Sequence, residues 1–140
     1  MPMILKKLST SKHKENTMQI LNLTQHTPTP EQIEAGVVGL TAEHKVQLLS
    51  LLSFNEIPTR SDISKRANAI AELAMHYNCR KALIGGALWL MSELEKALLL
   101  CPDNIQPVYA FSQRVTHELH HADGTVTKTN VFKHVGFIEV

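Results

Sequence analysis

The sequence predicts a small three-layer α/β fold whose sheet is largely parallel and ends in an antiparallel C-terminal β-hairpin extension. Three observations carry that expectation. A short apolar strand over 81–84 ends in Gly85-Gly86 and passes straight into an apolar helical run over 87–100. Helical patterning fills residues 30–78, between two strand candidates, and strands alternating with helices build parallel sheets. Near the C-terminus, Asp123-Gly124 separates two β-rich segments, and this dipeptide is a strong hairpin signal.

The chain in order supports this reading. Residues 6–17 are polar and basic without periodicity, so 1–17 are expected as a disordered tail and 18–140 as a single domain. Met18 stands at the start of the first strand and is a candidate translation start, which a mass spectrum of the native protein would settle. Residues 19–24 (QILNLT) form the first strand. In the polar loop that follows, Thr29 is the expected N-cap of a short helix, with Pro30 at its first position and Glu31 in its first turn. Gly36 and Gly39 break that helix.

Thr41 caps the next helix, which is apolar over a broad face at Val46, Leu48, Leu49, Leu51 and Leu52. Residues 54–59, with Pro58, connect it to a helix expected to be capped by Ser61. There Ile63, Ala67, Ile70, Leu73, Ala74 and Tyr77 recur at helical spacing, and the helix is expected to end near Asn78. The helix over 87–100 is apolar almost all round, which predicts burial on more than one side. In so small a domain that favours a subunit interface, so a homodimer through this helix is expected. Residues 106–112 form the next strand, 114–121 and 125–131 the hairpin, and 132–140 a last β-rich run with Gly136 at a bulge or bend.

Composition narrows the function classes. The 14 basic and 13 acidic residues leave a net charge of +1, so no overall field draws the chain to long nucleic acid or to a membrane surface. A polyanion would have to be held at a local pocket. Cys79 and Cys101 form no CxxC pair and flank apolar helical stretches, the usage of reduced cysteines in a cytoplasmic protein. No run approaches the ~18 apolar residues of a membrane span. Lys6 and Lys7 follow the apolar start too closely for a secretory segment.

Chemistry-bearing residues gather at the predicted strand ends. Asn22, Thr24, Gln25 and His26 follow the first strand, Gly85 and Gly86 the second, and Ser112, Gln113 and Arg114 the third. If these strands are parallel neighbours, all three groups meet at one edge of the sheet, where ligands of open α/β sheets bind. A helix N-terminus after the glycines supplies backbone N–H groups suited to an anion, and glycine lets the anion approach closely. Arg114 adds a planar phosphate-binding fork. His26 is an acid/base candidate, since imidazole is the side chain that exchanges protons near neutral pH, although a polar loop also suits a solvated histidine. Trp89 and Met91 read as core or interface rather than as a base-stacking platform.

Histidines 117, 120, 121 and 134 raise a metal reading. On a strand, His117 and His121 share a face but stand roughly 13 Å apart, and His120 points the other way. They do not chelate one ion, and neither metal nor cofactor is expected. GxGxxG, the P-loop, HExxH and GxSxG are missing from the sequence.

The segments NLTQHTPTPEQIEAGV, ALIGGALWLMSELEKAL and PVYAFSQR with VFKHVGFIEV together resemble small stand-alone CRISPR-associated proteins of the Rossmann-like, CARF-related kind, which belong to antiviral defence. The likeness covers most of residues 18–140. It implies a Rossmann-like domain that dimerises and binds cyclic oligoadenylate across the two-fold axis. Some members cleave that ligand as metal-independent ring nucleases, and others only sequester it. Carried onto this chain by position at strand ends, the resemblance makes His26 the acid/base candidate. It gives Ser112 and Arg114 to phosphate, and Gly85, Gly86 and Ala87 to backbone N–H donation. The alternatives are a non-catalytic nucleotide sponge or sensor, and a protein-interaction module of a mobile element.

Overall fold

Local signals set most of the element boundaries. The computed structural model describes residues 19–140, so the expected tail over 1–17 and the start at Met18 lie outside the described residues. Strand β1 (Ile20–Asn22) leads into helix α1 (Pro30–Glu34). Thr29 caps that helix: its hydroxyl accepts from the Gln32 N–H at 3.2 Å, and the Gln32 side chain accepts from the Thr29 N–H at 3.1 Å. This reciprocal pair satisfies two N–H groups that the helix itself leaves unpaired. A two-residue strand, β2 (Val37–Val38), comes next, and then helix α2 (Ala42–Leu52), capped by Thr41 as expected.

Helix α3 (Arg60–Ala74) starts before the expected Ser61 cap, because Thr59 is the cap. The Thr59 hydroxyl accepts from the Asp62 N–H, and Asp62 accepts from the Thr59 N–H. Ser61 has Ser64 three residues on and lacks an acidic partner for the same box. The chain continues through β3 (Lys81–Leu83), α4 (Leu88–Leu100), β4 (Gln106–His120) and β5 (Val126–Glu139).

These pieces form a mixed α/β fold around one five-stranded sheet of order β2-β1-β3-β4-β5. The β1–β2, β1–β3 and β3–β4 pairs are parallel, and β4–β5 is antiparallel. Sequence reading missed β2, since two valines between glycines carry no period. The separate run expected over 132–140 is instead continuous with the hairpin, as part of β5. The register slips between Phe111 and Ser112, whose partners are Gly136 and His134, so Val135 is the extra residue of a bulge beside Gly136.

The main core lies on one face of the sheet. There Leu21 and Leu23 of the first strand and its exit, and Ala82 and Ile84 of the β3 segment, pack against Leu48, Ile70, Leu90, Leu94 and Leu98 from α2, α3 and α4. The other face carries a smaller cluster of Ile20, Val37, Leu83 and Val108 with Phe137 against it, and no helix residue belongs to it. The expected third layer is therefore thin: α1 has five residues and buries none of them.

Helix α4 buries Leu90, Met91, Leu94 and Leu98 on one side within the chain, while Leu88, Trp89 and Leu100 are exposed. No helix of the described residues is long and apolar enough to cross a membrane.

Candidate functional site: the carboxyl edge of the sheet

The three parallel neighbours β1, β3 and β4 do bring two of the predicted groups together. The Leu23 N–H donates to the Leu83 carbonyl at 2.9 Å, and the Ile84 N–H donates to the Val108 carbonyl at 2.9 Å. Just past these bonds the chains leave the sheet side by side. A Cβ built on Gly85 would lie 3.5 Å from Thr24 Cγ2, so the β1 and β3 exits are in van der Waals reach of each other. Gly86 has φ +146°, a conformation that L side chains rarely adopt, and this turn delivers the chain to α4. Ala87 is the N-cap of α4 and supplies no side-chain hydrogen bond, whereas threonines cap α1, α2 and α3. The Leu88 and Trp89 N–H groups at the start of α4 therefore have no capping side chain, while the Leu90 N–H donates to the Ala87 carbonyl at 3.0 Å.

Asn22 and Thr24 hold the crevice wall in shape. Asn22 is the buried polar side chain among the described residues. Its Nδ2 donates to the His26 carbonyl at 2.9 Å. Its Oδ1 accepts from the Thr24 N–H at 3.0 Å and from the Thr24 hydroxyl at 2.7 Å. Thr24 Oγ1 in turn accepts from the His26 N–H at 3.3 Å. The polar spacing N-x-T-x-H is thus an architectural device that folds the chain back over five residues, an Asx-type turn with extra bonds. It leaves Gln25 and His26 exposed at the rim.

The third group is placed differently. Ser112, Gln113 and Arg114 do not follow a strand end, because β4 runs on to His120. Pairing with β5 continues past the sheet and keeps these residues extended, with Ser112 opposite His134 and Arg114 opposite Phe132. Alternation sends Ser112 and Arg114 to one face and Gln113 to the other. From the register of Leu83 with Val108, Ser112 stands about 7 Å and Arg114 about 13 Å beyond the level of Gly85. The Arg114 guanidinium lies 5.8 Å from the Phe132 ring centroid. Ser112 and Arg114 share the face of Val108, whereas Tyr109 points to α4, so the structure does not bring them to the Gly85–Gly86 turn at the start of that helix.

A neighbouring apolar groove escaped sequence reading. Phe54, Ile57, Pro58, Ile63 and Trp89 line a shallow cleft of about 620 Å³ beside the first turn of α4. Phe54 and Trp89 meet edge to face at 5.7 Å, and the Arg66 guanidinium sits 4.2 Å over the Phe54 ring. Arg66 is fixed there by the carbonyls of Leu51 and Ser53. Residues 54–59 read as a plain connector because no period links Phe54 to Trp89, 35 positions away. The only available signal was an aromatic beside a proline.

A family model described as the Uncharacterized protein MJ1673 family matches residues 18–138. The chain belongs to that family. No curated protein and no solved structure matches it. The match spans β1 through nearly all of β5, so the crevice, the groove and the hairpin all lie within the family's own extent.

Three of the hairpin histidines have other neighbours. His120 lies 3.6 Å from Glu118, His121 Nε2 is 2.6 Å from the Thr127 hydroxyl, and the His134 ring lies 4.8 Å from that of Phe137.

Proposed function

We propose that this chain binds a cyclic oligonucleotide, cyclic oligoadenylate, at the carboxyl edge of a Rossmann-like, three-layer sheet, and cleaves it as a metal-independent ring nuclease. On this reading it acts in the cytoplasm as a homodimer associating through the helix over 87–100. The observation that carries the proposal is the parallel order β2-β1-β3-β4. After β1 the chain crosses to one side, and after β3 to the other, so the order reverses between them. Open α/β sheets bind ligands at this switch point. Here it holds the Gly85-Gly86 turn, the uncapped start of α4 and the His26 rim.

Such a crevice suits a phosphodiester. The α4 N–H groups would take non-bridging phosphate oxygens, and two copies about a two-fold axis would present two such sites to a ring of repeated phosphates. Cleavage needs the ribose 2′-hydroxyl to attack the adjacent phosphorus in line. The 2′-proton passes to a base, the P–O5′ bond breaks, and the departing 5′-oxygen takes a proton, leaving a 2′,3′-cyclic phosphate. His26 at the rim is the residue proposed for this proton traffic, and Ser112 and Arg114, farther along β4, are the groups proposed for a second phosphate.

One observation favours the non-catalytic alternative, a sponge or sensor. The His26 ring makes no hydrogen bond to another described residue, so nothing in the chain orients it as a general base. Incubation with cyclic tri-, tetra- and hexa-adenylate without metal, followed by chromatography and a binding titration, separates the readings. Linear products with 2′,3′-cyclic phosphate ends support the nuclease, and His26→Ala should then remove turnover while binding remains. Tight binding of intact ligand supports the sponge. Neither binding nor cleavage overturns both and favours a protein-interaction module.

A further inference from the structure

From residue 111 onward, β4 and β5 leave the body as a two-stranded arm. Beyond Ala110, ten residues of β4 extend past the sheet, about 33 Å at the usual rise. Strand β5 has its substantial contacts with β4 alone. An isolated two-stranded hairpin is marginal in water, and one with both faces bare needs a surface to cover it. Tyr109 faces α4, where its hydroxyl donates to Glu95 Oε2 at 2.6 Å. Alternation then puts Phe111, Val115 and Leu119 on that same side, with Val131 opposite Val115. Phe111 is 50% and Leu119 61% exposed. The reverse face is more polar, with Thr116 bonded to Asn130 and Glu118 beside Lys128, although Phe132 and Val126 also lie on it. The Phe111 side is thus the more apolar of the two, with Gln113, Lys133 and His117 interspersed, and nothing among the described residues covers it.

We propose that this is a dimerisation arm, whose more apolar face docks on the exposed patch of Leu88, Trp89 and Ile57 in a second copy of the chain. Three arguments select a second copy. The chain carries both halves of the contact: Leu88 is 86% and Ile57 96% exposed, beside the Trp89 groove. The arm's length matches the roughly 35 Å width of a domain of this size, so it can clasp a partner rather than merely touch it. An arm face of about 33 by 10 Å, counted for two arms and two receiving patches, buries about 1,300 Å², within the range of stable interfaces. Charge does not oppose self-association, since Arg114, Lys128 and Lys133 are nearly balanced by Glu118 and Asp123. The two-fold contact closes on itself and leaves no open-ended patch. This inference deepens the homodimer of the proposed function, on which it rests, and does not depend on the ligand.

Light scattering of the full chain at micromolar concentration tests it. The wild type should be a dimer, and Leu119→Lys at the tip should weaken dimerisation by about 100-fold or more, as expected for an interface anchor. Leu119 buries nothing in the monomer, so that variant should keep its circular dichroism. Leu88→Asp on the receiving patch should act alike, since an acidic residue in the first turn of a helix does not oppose folding. Mixing Leu119→Cys with Leu88→Cys copies should give a disulfide between chains that neither gives with wild type. A monomeric wild type overturns the proposal. So does a dimer that survives both charged substitutions, or a monomer that forms a stoichiometric complex with a different protein through the arm.

Discussion

The body and the arm of this chain are built on opposite principles. Every buried side chain among the described residues lies between Ile20 and Val108, and none lies in the last 32 positions. The body draws its order from a core shared by three helices and one sheet face. The arm draws its order from cross-strand bonds, a bulge and a tight turn, none of which buries apolar surface. Thermodynamic stability therefore resides in the first region, and the second adds little to it.

The comparison breaks most visibly under core truncation. Leu94 on α4 is fully buried, and Leu94→Ala should cost about 2–5 kcal/mol in urea unfolding. Leu119→Ala on the arm should cost less than about 0.5 kcal/mol in the same measurement at concentrations where the chain is monomeric. Equal costs would dissolve the distinction. Asn22→Ala sits between them: it strips the Thr24 N–H and the His26 carbonyl of their buried partner and should cost about 1–3 kcal/mol. Its effect on chemical shifts should concentrate at residues 22–28. Thr59→Ala, which opens the α3 capping box, should cost about 1 kcal/mol.

The smallest effect is expected at low pH. Hydrogen bonds from the Thr125 hydroxyl and N–H hold the Asp123 carboxyl below the ordinary carboxylate range, and those from Thr59 do the same for Asp62. A lowered folded-state pKa means stability that is present above the unfolded value and is lost as pH falls through the folded one. Both carboxyls are exposed, so global unfolding should move little. Amide protection factors should instead fall first at 121–125 and at the start of α3 as pH drops below about 4. Asp123→Asn should remove that response from the turn alone.

Legibility in the sequence followed the same divide. Helices announced themselves because Ile63, Ala67, Ile70 and Leu73 repeat at 3.6 residues, and Thr29 and Thr41 sit where a cap must. The hairpin turn was legible because Gly124 adopts φ +88°, which Asp123-Gly124 advertises. β2 was not, since two residues hold a strand only through Ile20 and Leu21 of another segment. The end of β4 was misplaced at Ser112 because nothing local says that pairing with a strand 20 residues later will carry it on. The crevice was half legible. Gly85-Gly86 marked a turn, but only coordinates show Asn22 turned inward to brace its own loop rather than outward to a ligand.

The ligand crevice is the central claim, and amide exchange of the metal-free wild type with and without saturating cyclic tetra-adenylate tests its location directly. Slowed exchange over 22–28 and 85–91, at the two chain exits and the first turn of α4, is the predicted result. Unchanged exchange there, or protection confined to the α3–α4 groove at Asn68, Glu72, Glu93 and Lys96, would contradict it.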